Sequence, residues 1–247
     1  MLTHPTLDRL NALGLHGMAN AFVDIEATGE AASLGHAEWL ALLLEREASL
    51  RHDKRLATRL RYAKLRQQAC VEDIDYRTPR GLDRPLFAKL VEGRWIDDHA
   101  NLLICGPAGV GKSWLASALG HKACRDNRSV LYQRVPRLFD DLALARGDGR
   151  HPRLLRGLGR VDLLILDDWG LEPLDAGARH DLLEILEDRY GHRSIMVTGQ
   201  HPADQSQVRS GAPTSADPAI DRLVQNDQRP FLTGESLRRT RQSARKT

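Results

Sequence analysis

Apolar residues recur at helical spacing through the first quarter of the chain. Leu7, Leu10 and Leu13 share one face, and Met18, Phe22 and Ile25 mark a second amphipathic segment that stops at Gly29. From Ala37 to Gln68 neither proline nor glycine interrupts the chain. Leu40, Leu43, Leu44, Leu56, Leu60 and Ala63 keep the spacing there, which predicts one long helix or two in series. The period is lost over 70–99, where Pro79, Gly81, Pro85 and Gly93 fall. A small all-helical N-terminal domain is therefore expected over 1–68, with a linker and entry to a second domain over 69–99.

Past residue 100 the pattern changes. Short apolar runs at 102–105, 129–134, 161–166, 194–198 and 230–232 alternate with helical stretches at 112–125, 136–146, 176–189 and 218–226. Such alternation predicts an α/β domain over 100–247, with a five-stranded parallel sheet flanked by helices. Residues 206–217 hold Gly211, Pro213 and several small polar side chains, the composition of a surface loop.

Composition narrows the class. Of 247 residues, 41% are hydrophobic and 28% charged, a balance that excludes a mostly disordered or collagen-like chain. No apolar run approaches the roughly 18 residues of a membrane span. The opening 22 residues lack the layout of a secretory signal, so no membrane association and a cytoplasmic location are expected. Cys70, Cys105 and Cys124 are odd in number and unpaired in spacing, and read as idle thiols. His4, His99, His151 and His201 show no metal-ligand spacing.

The chemistry begins at Gly106-Pro107-Ala108-Gly109-Val110-Gly111-Lys112-Ser113, followed by Trp114. This is the phosphate-loop pattern, and it stands between an apolar strand and an amphipathic helix, where that pattern must stand. Its glycines let consecutive amides face phosphates, and the helix start adds partial positive charge. Lys112 suits the outer phosphates of ATP, and the Ser113 hydroxyl suits Mg2+, a hard cation that prefers oxygen. Downstream, Leu163-Leu164-Ile165-Leu166-Asp167-Asp168 is a buried strand ending in two carboxylates. Asp167 is the candidate second magnesium residue, and Asp168 the one that orients water toward the terminal phosphate.

Charge points to a second ligand. The net charge is only +3, yet between Arg46 and Arg66 eight basic side chains stand against Glu47 and Asp53 alone. Arg51, Lys54, Arg55, Arg59, Arg61, Lys64 and Arg66 are the candidate contacts to duplex DNA, with Arg51, Arg55, Arg59 and Arg66 forming a stripe. A solvated helix face that serves solubility is the alternative. Basic residues near the end, including Arg238, Arg239, Arg241, Arg245 and Lys246, add to the same balance. With no base-reading motif and 5% aromatics, recognition through backbone and DNA shape is expected.

The loop, the Asp167-Asp168 strand, Asp221-Arg222-Leu223, Arg94-Trp95-Ile96 and the segment Gly234-Glu235-Ser236-Leu237-Arg238-Arg239 occur in an order that resembles AAA+ ATPases of the helicase-loader branch. Within that branch the whole chain is most similar to the IstB-like transposition helper ATPases of bacterial insertion sequences. The resemblance implies that Arg222 is an arginine finger completing a neighbouring copy's site. It implies a polar sensor at Gln200, with Thr198 as second choice, and a second sensor at Arg238 or Arg239. It also implies a homo-oligomeric ring or filament on DNA, a transposase of the same element as partner, and hydrolysis that controls disassembly. A replicative helicase loader is the runner-up. A small-metabolite kinase and a scaffold that binds ATP without hydrolysing it are more distant readings.

Overall fold

The structure is a computed structural model and describes residues 4–29, 34–170, 174–200, 227–228, 232–234 and 237. The chain divides into two compact units, Met1–Thr58 and Arg59–Thr247. The division falls inside the long basic helix, earlier than the boundary expected at 68.

The first unit holds α1 (Pro5–Ala12), α2 (His16–Thr28) and most of α3 (His36–Ala63). Ala21, Phe22, Ile25 and Leu43 form its apolar cluster, with Leu10, Met18 and Trp39 packed against it. Of the expected inward leucines, Leu43 is buried, whereas Leu40 and Leu44 are 50% and 54% exposed. The buried stripe of α3 is thus narrower than the periodicity suggested. Glu47 fixes how α2 and α3 meet. Its buried carboxylate accepts the amides of Gly17 at 2.6 Å and Met18 at 3.2 Å, donors that the first turn of α2 leaves without helical partners. A Cβ at Gly17 would stand 2.6 Å from the Glu47 Cα, so this approach requires glycine.

The second unit is built on a parallel sheet. Its strands are β1 (Asn101–Cys105), β2 (Val130–Arg134), β3 (Leu163–Trp169) and β4 (Ser194–Gly199), with a two-residue β5 (Asp227–Gln228) beside β1. The order is β2-β3-β4-β1-β5. The first four fall where the apolar runs predicted them. At the edge, the described pairing lies upstream of the expected 230–232, and Leu232 belongs to no strand. Alternation along β3 serves two layers. Leu164 and Leu166 join the cluster of α7 (Val135–Asp148), α8 (His151–Arg160) and α9 (Ala176–Arg189), whereas Ile165 meets Gly120 of α6 (Lys112–Arg125).

The segment expected as a linker is more ordered than its prolines and glycines suggested. It contains α4 (Arg84–Glu92) and α5 (Arg94–Asp97). Asp83 caps α4, Pro85 sits in its first turn and Gly93 ends it in the left-handed conformation, so these residues are helix start and stop signals. Helix α8, also unexpected, begins the same way with Pro152. Near the end of the chain, backbone amides bind back to earlier segments: Leu232 to the Cys105 carbonyl at 2.8 Å, Thr233 to Arg80 at 2.9 Å, and Leu237 to Gly109 at 3.0 Å. Among the described residues no helix is long and apolar enough to cross a membrane.

Candidate nucleotide site

Strand order assembles the site. β4 lies between β1 and β3, so the loop that follows β1 and the carboxylates that end β3 flank the end of β4, at the carboxyl edge where parallel sheets bind ligands. Within the loop Gly109 and Gly111 take φ of 87° and 97°, a region side chains disfavour. The loop therefore curls over the start of α6. Lys112 turns back across it, its Nζ donating to the carbonyls of Gly106 at 2.6 Å and Pro107 at 2.7 Å.

Ser113 Oγ donates to Asp167 Oδ1 at 2.9 Å. Adjacent ligands of an octahedral magnesium, with bonds of 2.0–2.1 Å, stand about 2.9 Å apart. The pair therefore fits that ion as two hard oxygen donors. No cluster of three or more His, Cys, Asp or Glu able to cage a metal occurs among the described residues.

Asp167 is the hub. It is 1% exposed, and besides Ser113 it accepts hydrogen bonds from the hydroxyls of Thr198 and Tyr132 and from Arg66 Nη1 at 3.2 Å. Burial pushes its carboxyl up, but the bonds from Thr198, Tyr132, Ser113 and Arg66 outweigh burial and hold it below the ordinary carboxylate range. Burial and the Asp167 bond raise the Tyr132 phenol, which keeps it a donor. Thr198→Val keeps the shape and deletes one charge-assisted bond, so a loss of about 1.5–3 kcal/mol is expected in thermal melting. The lowered acidity of Asp167 gives the sign with pH: the deficit is full near neutrality and narrows as pH falls through the carboxylate range toward Asp167's own value.

Asp168 departs from regular strand geometry. The β3–β4 register shifts between Leu166 and Trp169, and Asp168 takes φ of 63°. Aspartate tolerates this left-handed conformation better than most residues. Two arginines engage the carboxylate it presents: Arg134 Nε at 2.8 Å and Arg66 Nη1 at 3.3 Å.

The structure therefore redistributes the expected site residues. Lys112, Ser113, Asp167 and Asp168 come together. At the end of β4 the buried Thr198 reaches Asp167, whereas Gln200 is exposed just past the strand and makes no hydrogen bond among the described residues. Trp114 is half-buried in the first turn of α6. Arg222 and Arg238 lie outside the described residues, although the Leu237 amide on Gly109 brings the chain just before Arg238 onto the loop.

The expected stripe does not survive intact. Arg51 Nε binds Glu47 at 2.6 Å, and Arg59 Nη1 binds Asn127 at 2.9 Å. Arg66 lies beyond the end of α3 and belongs to the carboxylates. Lys54, Arg55, Arg61 and Lys64 remain exposed, with no side-chain partner among the described residues.

Three residues were missed by sequence reasoning. Tyr132 and Arg134 share a face at the end of β2, and the period of two along 129–134 would have found them. Arg80 had no such signal. It is 5% exposed, its Nη1 comes within 3.0 Å of where a Cβ on Gly111 would stand, and its Nε has no partner among the described residues. The cysteines read as idle thiols form no disulfide among the described residues, and burial pushes the Cys124 thiol up to about 11, far from a nucleophile's range.

Comparison with known proteins identifies the family. Residues 8–245 match the family described as IstB-like ATP binding protein. The chain belongs to that family. It is 68% identical over 239 residues to the insertion sequence ATP-binding protein y4pL of Sinorhizobium fredii, covering 97% of this chain and 98% of that one. Identity to the ATP-binding protein of insertion sequence IS1162 from Pseudomonas fluorescens is 49%, over 86% of this chain and 93% of the relative. The crystal structure of the DnaI superposes with a TM-score of 0.58 at 22% identity, over 67% of this chain and 92% of that one. At that identity the likeness speaks for the fold, an α/β AAA+ P-loop fold.

Proposed function

We propose that this IstB-like chain is an ATPase that serves transposition of an insertion sequence: ATP switches copies of the chain into an assembly on duplex DNA, and the assembly recruits the transposase of the same element. The observation that carries this reading is the Lys112–Ser113 loop set against Asp167 across the end of β4. Lys112 would hold the outer phosphates, and Ser113 and Asp167 would hold magnesium, whose charge offsets that of the phosphates when it is bound. Asp168 orients water toward the terminal phosphate, with a polar group from Thr198 or Gln200 beside it. Arg222 of a neighbouring copy completes the site, and Arg238 or Arg239 senses the terminal phosphate. Hydrolysis then loosens the subunit interfaces and releases the DNA. Family membership and relatives named for insertion sequences support the setting.

The experiment measures phosphate release and duplex retention across protein concentrations, with ATP, ADP or neither. Turnover per chain that rises with concentration and duplex, together with ATP-dependent retention, is expected. Retention indifferent to nucleotide overturns the reading. For the DNA surface, Lys54, Arg55, Arg61 and Lys64, exposed and without side-chain partners among the described residues, are favoured over Arg51, which is paired with Glu47. Reversing Lys54, Arg55 and Arg61 to glutamate should weaken binding to all sequences alike. The slope of log affinity against log salt should flatten by about 0.9 for each DNA phosphate that is no longer neutralised. Arg51→Ala is expected to act through Glu47, on stability rather than on that slope.

A further inference from the structure

We propose that Arg66 couples duplex DNA to metal uptake at the nucleotide site: its guanidinium holds Asp167 and Asp168 until DNA phosphate draws it away. This rests on the ATP and duplex function proposed above and names how the two ligands communicate.

One atom carries the contact. Arg66 Nη1 stands 3.2 Å from Asp167 Oδ2 and 3.3 Å from Asp168 Oδ2. A cation between the two carboxylates lowers the negative potential that a divalent ion needs, and it occupies an oxygen of the residue that would hold the ion. The bonds from Ser113, Tyr132 and Thr198 come from neutral hydroxyls, whereas Arg66 brings a positive charge into direct contact with that carboxylate. Asp168 also has Arg134 at 2.8 Å, so it remains placed when Arg66 leaves.

The local chain path makes Arg66 available to DNA. Helix α3 ends at Ala63, and Lys64 takes φ of 51°, which breaks the helical path and directs the following residues to β3. The Arg66 side chain is one-third exposed, and Arg61 and Lys64 nearby are exposed without side-chain partners among the described residues. A phosphate brought in by those two residues offers the guanidinium a bidentate acceptor in place of two single, long contacts. DNA and metal then favour the same state, with Arg66 off the carboxylates. Linkage requires each to raise the affinity of the other by one common factor.

The test reads metal binding without turnover. Free Mn2+ is titrated by electron paramagnetic resonance into the full chain with a non-hydrolysable ATP analogue, with and without a short duplex. The wild-type chain should bind Mn2+ about fivefold or more tightly with duplex. Arg66→Gln should show the tighter value without duplex and gain nothing from it. Arg66→Lys keeps the charge, loses the planar fork, and should fall between them. Thermal melting identifies a variant that has not folded, in which case Arg66→Lys decides. Equal Mn2+ affinity of folded Arg66→Gln and wild type without duplex overturns the proposal, as does duplex enhancement that persists in Arg66→Gln. Duplex retained by the wild type with no change in Mn2+ affinity overturns the coupling alone. A wild-type chain that binds nucleotide and Mn2+ but never retains duplex overturns the proposed function together with the coupling.

Discussion

Lys112→Ala should reduce ATP affinity by at least about a hundredfold, close to 3 kcal/mol, as expected for a charge-assisted phosphate contact in a half-enclosed loop. Lys112 Nζ is already ordered by the carbonyls of Gly106 and Pro107, at 2.6 and 2.7 Å. Little side-chain entropy is then left to lose when phosphate arrives, so most of the Coulomb gain is realised as affinity. Alanine removes the charge and leaves both carbonyls without this donor, which compounds the loss. Lys112→Arg keeps the charge but replaces a compact ammonium with a planar fork that two carbonyls in a tight turn cannot accommodate, so partial rescue at most is expected. Calorimetric titration with ATP and ADP measures both variants. Affinity unchanged in Lys112→Ala would remove the phosphate assignment.

Asp168→Asn should leave ATP binding near wild type and cut hydrolysis by about a hundredfold to ten-thousandfold, the usual contribution of a group that moves or orients a proton. This substitution isolates chemistry because asparagine, like aspartate, adopts the left-handed backbone that Asp168 holds at φ 63°. Substitution by a β-branched residue would confound the chemistry with backbone strain. The expected consequence for assembly is persistence on duplex in ATP, since the release step fails. Single-turnover phosphate release, compared with duplex retention over time, checks both halves. Normal turnover would show that another group positions the water.

The site was legible in the sequence where chemistry demands contiguous residues. A phosphate loop must be written as one stretch, and the strand bearing Asp167 and Asp168 announces itself through an unbroken apolar run. What escaped was assembled across the sheet. Tyr132 and Arg134 matter because β2 flanks β3, and strand order is not written in any one segment; Thr198, named only as second choice for the sensor, meets Asp167 because β4 flanks the other side. Arg66 was misplaced for a related reason. Extrapolating the period of α3 past Ala63 put it on a helix face, while the left-handed turn at Lys64 sends it to β3. Arg51 belonged to the stripe by spacing but is held by Glu47, whose task is to cap α2. The fold was legible at the level of alternation. Helices α4 and α8 escaped notice because proline and glycine mark helix ends as well as linkers.

The amides of Leu232, Thr233 and Leu237 stitch the last part of the chain to Cys105, Arg80 and Gly109. A protein cut after Gln228 would forfeit all three seams at once, and its ATP cradle would have to hold shape with one wall gone. Trimming the C-terminus to improve handling should therefore be read as a lesion of the candidate nucleotide site, and affinity tags belong at the opposite end.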